Sequence, residues 1–334
     1  MNSARLDVAT LETLVSAAVA APSIHPTRPW RFRLDPDTVT LEIRAVPYGG
    51  PRPADPAGRA PHLAAGCAVL NLRVAVAHFG WEPVTRLLPR PEEPDLLATV
   101  RIVGGDGDVP APGLYDALWR RHSSRFPFSG RPLPRAVLGE LAAAARAEGA
   151  LLSRPTPKET ERLLELAEAD HHISTDSDPA ARSRVSAPEP LAPRGCRDRL
   201  PQRPAHRYPA AVPARPLLAV VTTADDGRID WLRAGQALQR VLLVATAHGL
   251  RTSLLHQALD RPDPGARLRP GSCGAGHAQM VLRLGYGPEG PPSPRRAAQE
   301  AGTGRGHRAV SRPPTPPAHT TPTASRSPRG ARPA

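Results

Sequence analysis

The sequence predicts an α+β fold built from two duplicated halves. Short segments with alternating or continuous apolar residues predict strands, and amphipathic stretches between them predict helices. One helix is repeated: the run from Ala65 to Gly80 aligns without gaps with the run from Ala234 to Gly249, 169 positions later. Each copy is rich in small residues and ends at a glycine, a common helix terminator. Strand patterns follow both copies, so the repeat indicates a duplicated unit.

The first half is predicted to contain two helices and four strands. Its amphipathic first helix ends at Pro22, and Asp35-Pro36-Asp37 forms the turn of a hairpin. The predicted elements are a helix at 5–21, strands at 30–34 and 38–43, the first repeated helix at 62–78, and strands at 84–88 and 97–103.

The second half is predicted to be interrupted by a long insertion. Its predicted elements are helices at 114–119, 133–147 and 158–170, a strand at 217–223, the second repeated helix at 229–248, and a strand at 280–284. Residues 171–216 have no periodicity and contain nine prolines and eight arginines, so they are predicted to be a lid or a disordered insertion. From residue 297 onward the Pro/Thr/Ser/Arg-rich composition predicts a disordered tail.

The positive charge of the chain is concentrated outside its foldable parts. The net charge is +13, but residues 179–216 carry eight arginines against two acidic residues, and residues 297–334 carry six against one. These two segments hold +11 of the total, and the rest is close to neutral. A folded nucleic-acid site needs a basic face, so we expect no nucleic-acid partner.

Cysteine content and hydropathy favour a cytoplasmic protein. Cys67, Cys196 and Cys273 are few and widely spaced, which is typical of free thiols in a reducing compartment. We expect no run to reach the roughly 18 apolar residues of a membrane span. The adjacent His171 and His172 lack further ligands at metal-binding spacing, so we expect no metal site and no membrane partner.

The segment from Trp119 to Phe128 is the strongest candidate for a binding element. After a short predicted helix it carries three arginines and two serines within six residues, including Arg121, Ser123 and Arg125. The planar fork of arginine binds two phosphate oxygens at once, and serine hydroxyls add neutral donors. The pattern therefore predicts an anion site, although a solvated basic helix end would show the same residues.

Three motifs together resemble the FMN-dependent nitroreductases. Residues 21–32, beginning Ala21-Pro22-Ser23, resemble the family's APS-x-x-N-x-QPW-x-F segment, and residues 120–128 resemble its RR-x-S-x-R-x-F element. Residues 284–296, which include Leu284-Gly285-Tyr286, resemble its C-terminal signature. The order of the motifs is similar to that of the Acg-type nitroreductases, single chains whose two halves mimic a nitroreductase dimer.

The resemblance implies halves at 1–110 and 111–296, followed by the 297–334 tail, in a monomer that mimics a dimer. It implies FMN as cofactor, NAD(P)H as electron donor, and a nitro, quinone or similar small molecule as electron acceptor. It names no catalytic residue. The cofactor-binding residues that it implies are Ser23, Arg121, His122, Ser123, Arg125, Leu254, Leu255, His256, Gln257, Arg295 and Arg296.

Two departures from the family pattern leave alternatives open. Pro26 and Arg28 replace the family's Asn and Gln, and proline removes both a side-chain amide and a backbone donor. Residues 171–216 replace the family's ordered insertion over the flavin with a patternless segment. Besides an oxidoreductase, the resemblance implies as an alternative an FMN-binding or storage protein without turnover, since it includes members whose flavin is covered by the lid. No G-x-S-x-G elbow is present, which argues against a hydrolase.

Overall fold

The chain folds into helices packed between two antiparallel sheets, which confirms the α+β prediction. A computed structural model describes residues 6–22, 30–46, 55, 58–104, 113–124, 128–165, 217–255 and 276–288, all within one compact unit. The helices are α1 (Val8–Val19), α2 (Arg59–His78), α3 (Leu114–Arg120), α4 (Arg135–Arg146) and α5 (Arg228–Ala247), with a further helical segment at 157–165. The strands are β1 (Trp30–Asp35), β2 (Thr40–Ala45), β3 (Trp81–Leu87), β4 (Leu96–Gly104), β5 (Leu151–Ser153), β6 (Leu217–Thr223), β7 (Arg251–Leu254) and β8 (His277–Gly285).

The two sheets have the same internal order. The first runs β1-β2-β4-β3 and the second β5-β6-β8-β7, with antiparallel pairing throughout both. The register of the β2–β4 pairing shifts at Ile43/Arg44 in β2. The register of the β6–β8 pairing shifts in the same way at Val221/Thr222 in β6. In each half a helix precedes the first strand, and a 20-residue helix connects the second strand to the third.

The long helices α2 and α5 pack directly on each other through glycine. Equivalent positions 169 residues apart meet at the crossing: a side chain on Gly66 would lie 2.2 Å from the carbonyl oxygen of Leu232, and one on Gly235 would lie 2.1 Å from that of Leu63. His62 and Trp231, one turn earlier on each helix, stack edge to face with ring centroids 5.4 Å apart. Only glycine permits so close an approach of two helix backbones.

Each long helix also contributes to the core of the other half. Leu63 and Cys67 of α2 belong to the hydrophobic cluster under the second sheet, whereas Leu232 and Leu243 of α5 belong to the cluster under the first. The two clusters therefore meet along the α2–α5 contact. Burial of these apolar side chains stabilises the packing of the two clusters against each other.

Buried polar groups link the same helices. Asn71 donates from Nδ2 to the carbonyl oxygen of Ala17 at 2.8 Å, and Gln239 donates from Nε2 to Asn71 Oδ1 at 2.6 Å. These contacts connect α1, α2 and α5. Because Asn71 and Gln239 are fully buried, replacing either amide would leave a polar partner without its hydrogen bond.

The structure differs from the sequence prediction at several elements. Strand β5 was not predicted, because it has three residues and follows directly after α4 and a glycine turn. Strand β3 starts at Trp81 rather than 84, and it includes Pro83, which its edge position in the sheet permits. The proposed boundary at 110/111, the 171–216 insertion and the 297–334 tail lie outside the described residues.

The expectation that no run is apolar enough to span a membrane needs correction. Within the described part, α2 is long and apolar enough by length and composition, with a mean hydropathy of 1.3 in its most apolar window. However, 83% of that window is buried inside the fold. Contacts with α1 and α5 and with the sheets account for its apolar surface, so α2 is a core helix.

Candidate functional site

The arginine- and serine-rich segment 120–124 begins at the last residue of α3 and lies along the open edge of β7. Ser123 forms a parallel bridge with Thr252, and the backbone N–H of Ser124 donates to the carbonyl oxygen of Thr252 at 2.8 Å. Ser124 and Thr252 are each only 2% exposed. The structure therefore brings Ser123 beside β7, although the two are more than 120 positions apart in the sequence.

The chain after this segment is held at the end of β8. The N–H of Ser129 donates to the carbonyl oxygen of Tyr286 at 2.6 Å. Phe128 is buried against Gly285, where an added Cβ would lie 2.8 Å from Phe128 Cβ, so a larger residue at 285 would displace the ring. The RR-x-S-x-R and Leu-Gly-Tyr motifs are thus spatial neighbours.

Arg121 lies at the junction between the two halves. Its N–H ends α3 by donating to the carbonyl oxygen of Ala117 at 2.8 Å. Helix α3, which Arg121 follows, contacts both α2 and α5. Burial raises the pKa of the Cys67 thiol in α2 to about 12, and the positive charge of Arg121 opposes that rise. Cys67 donates from Sγ to the carbonyl oxygen of Gly235 at 3.1 Å. The thiol is therefore protonated at neutral pH and does not act as a nucleophile.

Two of the predicted site residues, Leu254 and Leu255, lie at the end of β7, and their backbone N–H groups are directed at opposite edges of the strand. The N–H of Leu255 donates to the carbonyl oxygen of Val281 at 2.9 Å, so it is already engaged with β8. Successive residues of a strand direct their backbone groups to opposite edges. The N–H of Leu254 is therefore directed at the same open edge where Thr252 accepts from Ser124, which makes Leu254 the better candidate donor to a ligand.

Arg251 and Thr252 were missed as candidates in the sequence. Arg251 begins β7 and is half-buried beside the Ser123–Thr252 bridge. The 169-residue offset of the repeat could have drawn attention to them, because continuing it past Gly80 and Gly249 pairs Arg251 with Glu82 and Thr252 with Pro83. The position equivalent to Arg251 in the first half therefore carries the opposite charge, and the position equivalent to Thr252 has no N–H.

Most of the remaining predicted site residues lie outside the described ranges. His122 is described, and its Nδ1 lies 3.1 Å from the carbonyl oxygen of Arg120. Among the described residues, no group of three or more His, Cys, Asp or Glu side chains is arranged to hold a metal ion. The predicted residues outside the described ranges are Ser23, Arg125, His256, Gln257, Arg295 and Arg296.

Comparison with known proteins identifies relatives over nearly the whole chain. A protein of Mycobacterium tuberculosis (strain ATCC 25618 / H37Rv), provisionally named an NAD(P)H nitroreductase, is 31% identical over 318 residues, or 89% of this chain and 92% of its own length. The protein provisionally named NAD(P)H nitroreductase acg in the same strain is 28% identical over 320 residues, covering 87% and 94%. No family model matches the chain.

The fold was also compared with solved structures. A nitroreductase with bound FMN from Bacteroides fragilis NCTC 9343 aligns with 56% of this chain and 94% of its own, at 16% identity and a TM-score of 0.36. The assignment is therefore based on the sequence relatives. With 31% identity over most of both sequences, the chain belongs to the NAD(P)H nitroreductase family, and Acg is among its relatives.

Proposed function

We propose that this protein binds FMN and transfers electrons from NAD(P)H to a nitro, quinone or similar small-molecule acceptor. Family membership supports the reaction class. The observation that carries the proposal is the docking of the 120–124 segment on the edge of β7, which brings Ser123 next to Thr252 and Arg251. We further propose the cytoplasm as its location, since the described cysteine, Cys67, is a buried free thiol.

The residues at the β7 edge fit FMN chemically. FMN carries a dianionic phosphate, a hydroxylated ribityl chain and a planar ring with acceptor atoms. Arg121 and Arg251 supply fixed positive charge, Ser123 supplies a hydroxyl, and the Leu254 N–H supplies a backbone donor on the open edge. Charge-assisted bonds from arginine to phosphate are strong and directional. We propose that the two arginines and Ser123 bind the phosphate and ribityl oxygens.

When bound, FMN supplies the hydride and electron chemistry, and the protein supplies binding, orientation and electrostatics. Arg121 and Arg251 stabilise negative charge in their neighbourhood, and a positive charge beside a flavin favours its reduced form. The buried wall formed by Ser124 and Thr252 excludes water from one side of the edge. No side chain of this set is required as a proton-transfer base, so we assign no catalytic residue.

We also propose that the two halves form a pseudo-dimer with a single working site. The shared sheet order and the contacts between equivalent positions of α2 and α5 support the duplication. The first half has Glu82 and Pro83 where the second has Arg251 and Thr252. A carboxylate would repel the flavin phosphate, and the RR-x-S-x-R element occurs once in the sequence. The equivalent edge at β3 is therefore not expected to bind FMN.

Reconstitution with flavin tests the proposed function. We expect the purified protein, incubated with FMN and FAD together, to retain FMN after gel filtration, as identified by chromatography after heat release. We expect anaerobic NADH or NADPH to bleach the visible flavin band and an added quinone to restore it. Binding without bleaching by either nucleotide would instead support the storage protein, and a colourless protein would contradict both.

A further inference from the structure

A cavity in the second half is separate from the β7 edge. It encloses about 440 Å³, within the range of small-molecule sites. Its wall comes from the chain after Phe128, the start of the 157–165 helical segment, and the ends of β6 and β8. The described residues that line it are Phe128, Ser129, Gly130, Arg131, Pro132, Leu133, Leu138, Arg154, Pro155, Pro157, Thr160, Leu217, Leu218, Arg283, Leu284 and Gly285.

Three arginines from three separate elements converge on this cavity. Arg131 comes from the loop before α4, Arg154 directly follows β5, and Arg283 is in β8. None of the described lining residues is acidic. The nearby Glu159 is used within its own helix, where its carboxylate accepts from the N–H of Thr156 at 2.6 Å. The lining is therefore positively charged, which favours an anion.

Two of the guanidinium groups are positioned by aromatic rings. The Cζ atom of Arg131 lies 4.4 Å from the ring centroid of Tyr286, and that of Arg283 lies 4.9 Å from the centroid of Phe128. Cation–π contacts hold such groups in a defined orientation. Because Phe128 is itself fixed against Gly285, less conformational entropy is lost when these donors bind a ligand.

The remainder of the lining is largely apolar. Leu133, Leu138, Leu217, Leu218 and Leu284 contribute hydrocarbon surface beside the aromatic ring of Phe128. Inorganic phosphate alone would satisfy the arginines but would leave this surface in contact with water. A ligand that carries both a negative group and an aromatic or apolar body matches both parts of the lining.

We propose that this cavity is a second binding site, for a small aromatic anion such as an aryl phosphate or aryl carboxylate. It goes beyond the proposed flavin chemistry, which does not require it. A ligand here would contact Phe128 and Gly285, the packing that holds the 120–128 segment at the second sheet. Occupancy would therefore reinforce the same segment that carries Arg121 and Ser123.

Calorimetric titration of the FMN-saturated full chain tests the proposal with three probes. The probes are 1-naphthyl phosphate, the neutral 1-naphthol and inorganic phosphate. We expect 1-naphthyl phosphate to bind at least tenfold more tightly than either of the others. In the double variant Arg131→Gln/Arg154→Gln we expect its affinity to fall at least tenfold. Both side chains are exposed, so the variant should fold, and an unchanged melting temperature checks this.

Arg146→Gln is the matched control, because Arg146 is an exposed arginine of α4 that does not line the cavity. We expect it to bind 1-naphthyl phosphate like the unmodified chain. Equal affinity in the double variant and the control would overturn the proposal, as would the absence of binding. Competition between 1-naphthyl phosphate and FMN would also overturn it, since the two sites would then be one. None of these readouts depends on electron transfer.

Discussion

The carboxylate of Glu148, two residues after the end of α4, is a buried charge that pairs with both long helices. Its side chain is only 4% exposed and accepts from Arg73 Nη1 at 2.5 Å and from Arg240 Nε at 2.7 Å. Arg73 also donates to Oε1 of Gln236 at 2.8 Å. These contacts neutralise the carboxylate where the halves meet. A buried ion is stable only while its partners remain, so the cluster is sensitive to a single substitution.

Replacing Glu148 with Gln should therefore destabilise the protein. The change keeps the shape but leaves Arg73 and Arg240 without their carboxylate, and we expect a loss of about 3 kcal/mol in the free energy of unfolding. Urea denaturation measures it. The control is Glu140→Gln, which removes a carboxylate that pairs with His248 but is 55% exposed, and it should cost under about 1 kcal/mol. Equal effects of the two changes would show that the buried cluster has no special role.

Arg121 supplies positive charge to the proposed flavin site. Replacing it with Ala removes one charge-assisted contact, and we expect FMN affinity to fall about tenfold to a hundredfold, or about 1.5–3 kcal/mol. Fluorescence titration of the apoprotein measures the dissociation constant. Arg146→Ala, an exposed arginine on α4, should leave it unchanged. If Arg121→Ala bound FMN like the unmodified protein, the phosphate would have to lie elsewhere.

At the scale of elements, the crossing of α2 and α5 is the contact on which the fold depends. Gly66 and Gly235 approach so closely that a Cβ on either would lie 2.9 Å from the Cα of the other. The obstructing atoms belong to backbone and cannot rotate away. The packing distance of the helices is therefore determined by these two glycines.

Gly66→Ala should force the two helices apart. We expect it to destabilise the protein by at least about 3 kcal/mol, at the upper end of overpacking effects. Gly139→Ala is the matched control, because Gly139 lies in α4 with no atom within 4 Å of an added Cβ. That change should stabilise the protein by about 0.5–1 kcal/mol, since alanine is the better helix former. Thermal unfolding measures the melting temperature of both variants. If Gly66→Ala melted at or above the melting temperature of the unmodified protein, the helices would not be held apart by the added methyl group.

The elements that could be predicted from the sequence are those with strong periodicity. The Ala-rich repeat predicted α2 and α5 to within a few residues, and the alternation in 30–34 predicted β1. Strand β7 was not predicted, because its four residues, from Arg251 to Leu254, are too few to show alternation and it acquires its structure by pairing with β8. The roles of backbone groups in β7, such as the difference between the N–H groups of Leu254 and Leu255, depend on that pairing and have no local signal in the sequence.

In the whole molecule, the single repeated helix predicts the duplication that we propose, but it does not predict how far that duplication extends. The strands of the two halves have little sequence in common, because a strand needs only a pattern of apolar residues and not a particular sequence. The identical sheet order and the paired register shifts emerge only in three dimensions. The pairing of Glu82 and Pro83 with Arg251 and Thr252 can be read from the sequence offset, but only the structure shows that both pairs lie in edge strands.

The number of FMN molecules bound per chain distinguishes one working flavin site from two. Saturate the apoprotein with FMN, remove excess by gel filtration, release the flavin by heat, and compare its concentration with that of the protein. We predict a ratio of one, because the β7 edge has Arg121, Ser123 and Arg251 whereas the β3 edge presents Glu82. A ratio near two would mean that the first half has its own phosphate site. A ratio near zero would contradict the flavin site itself.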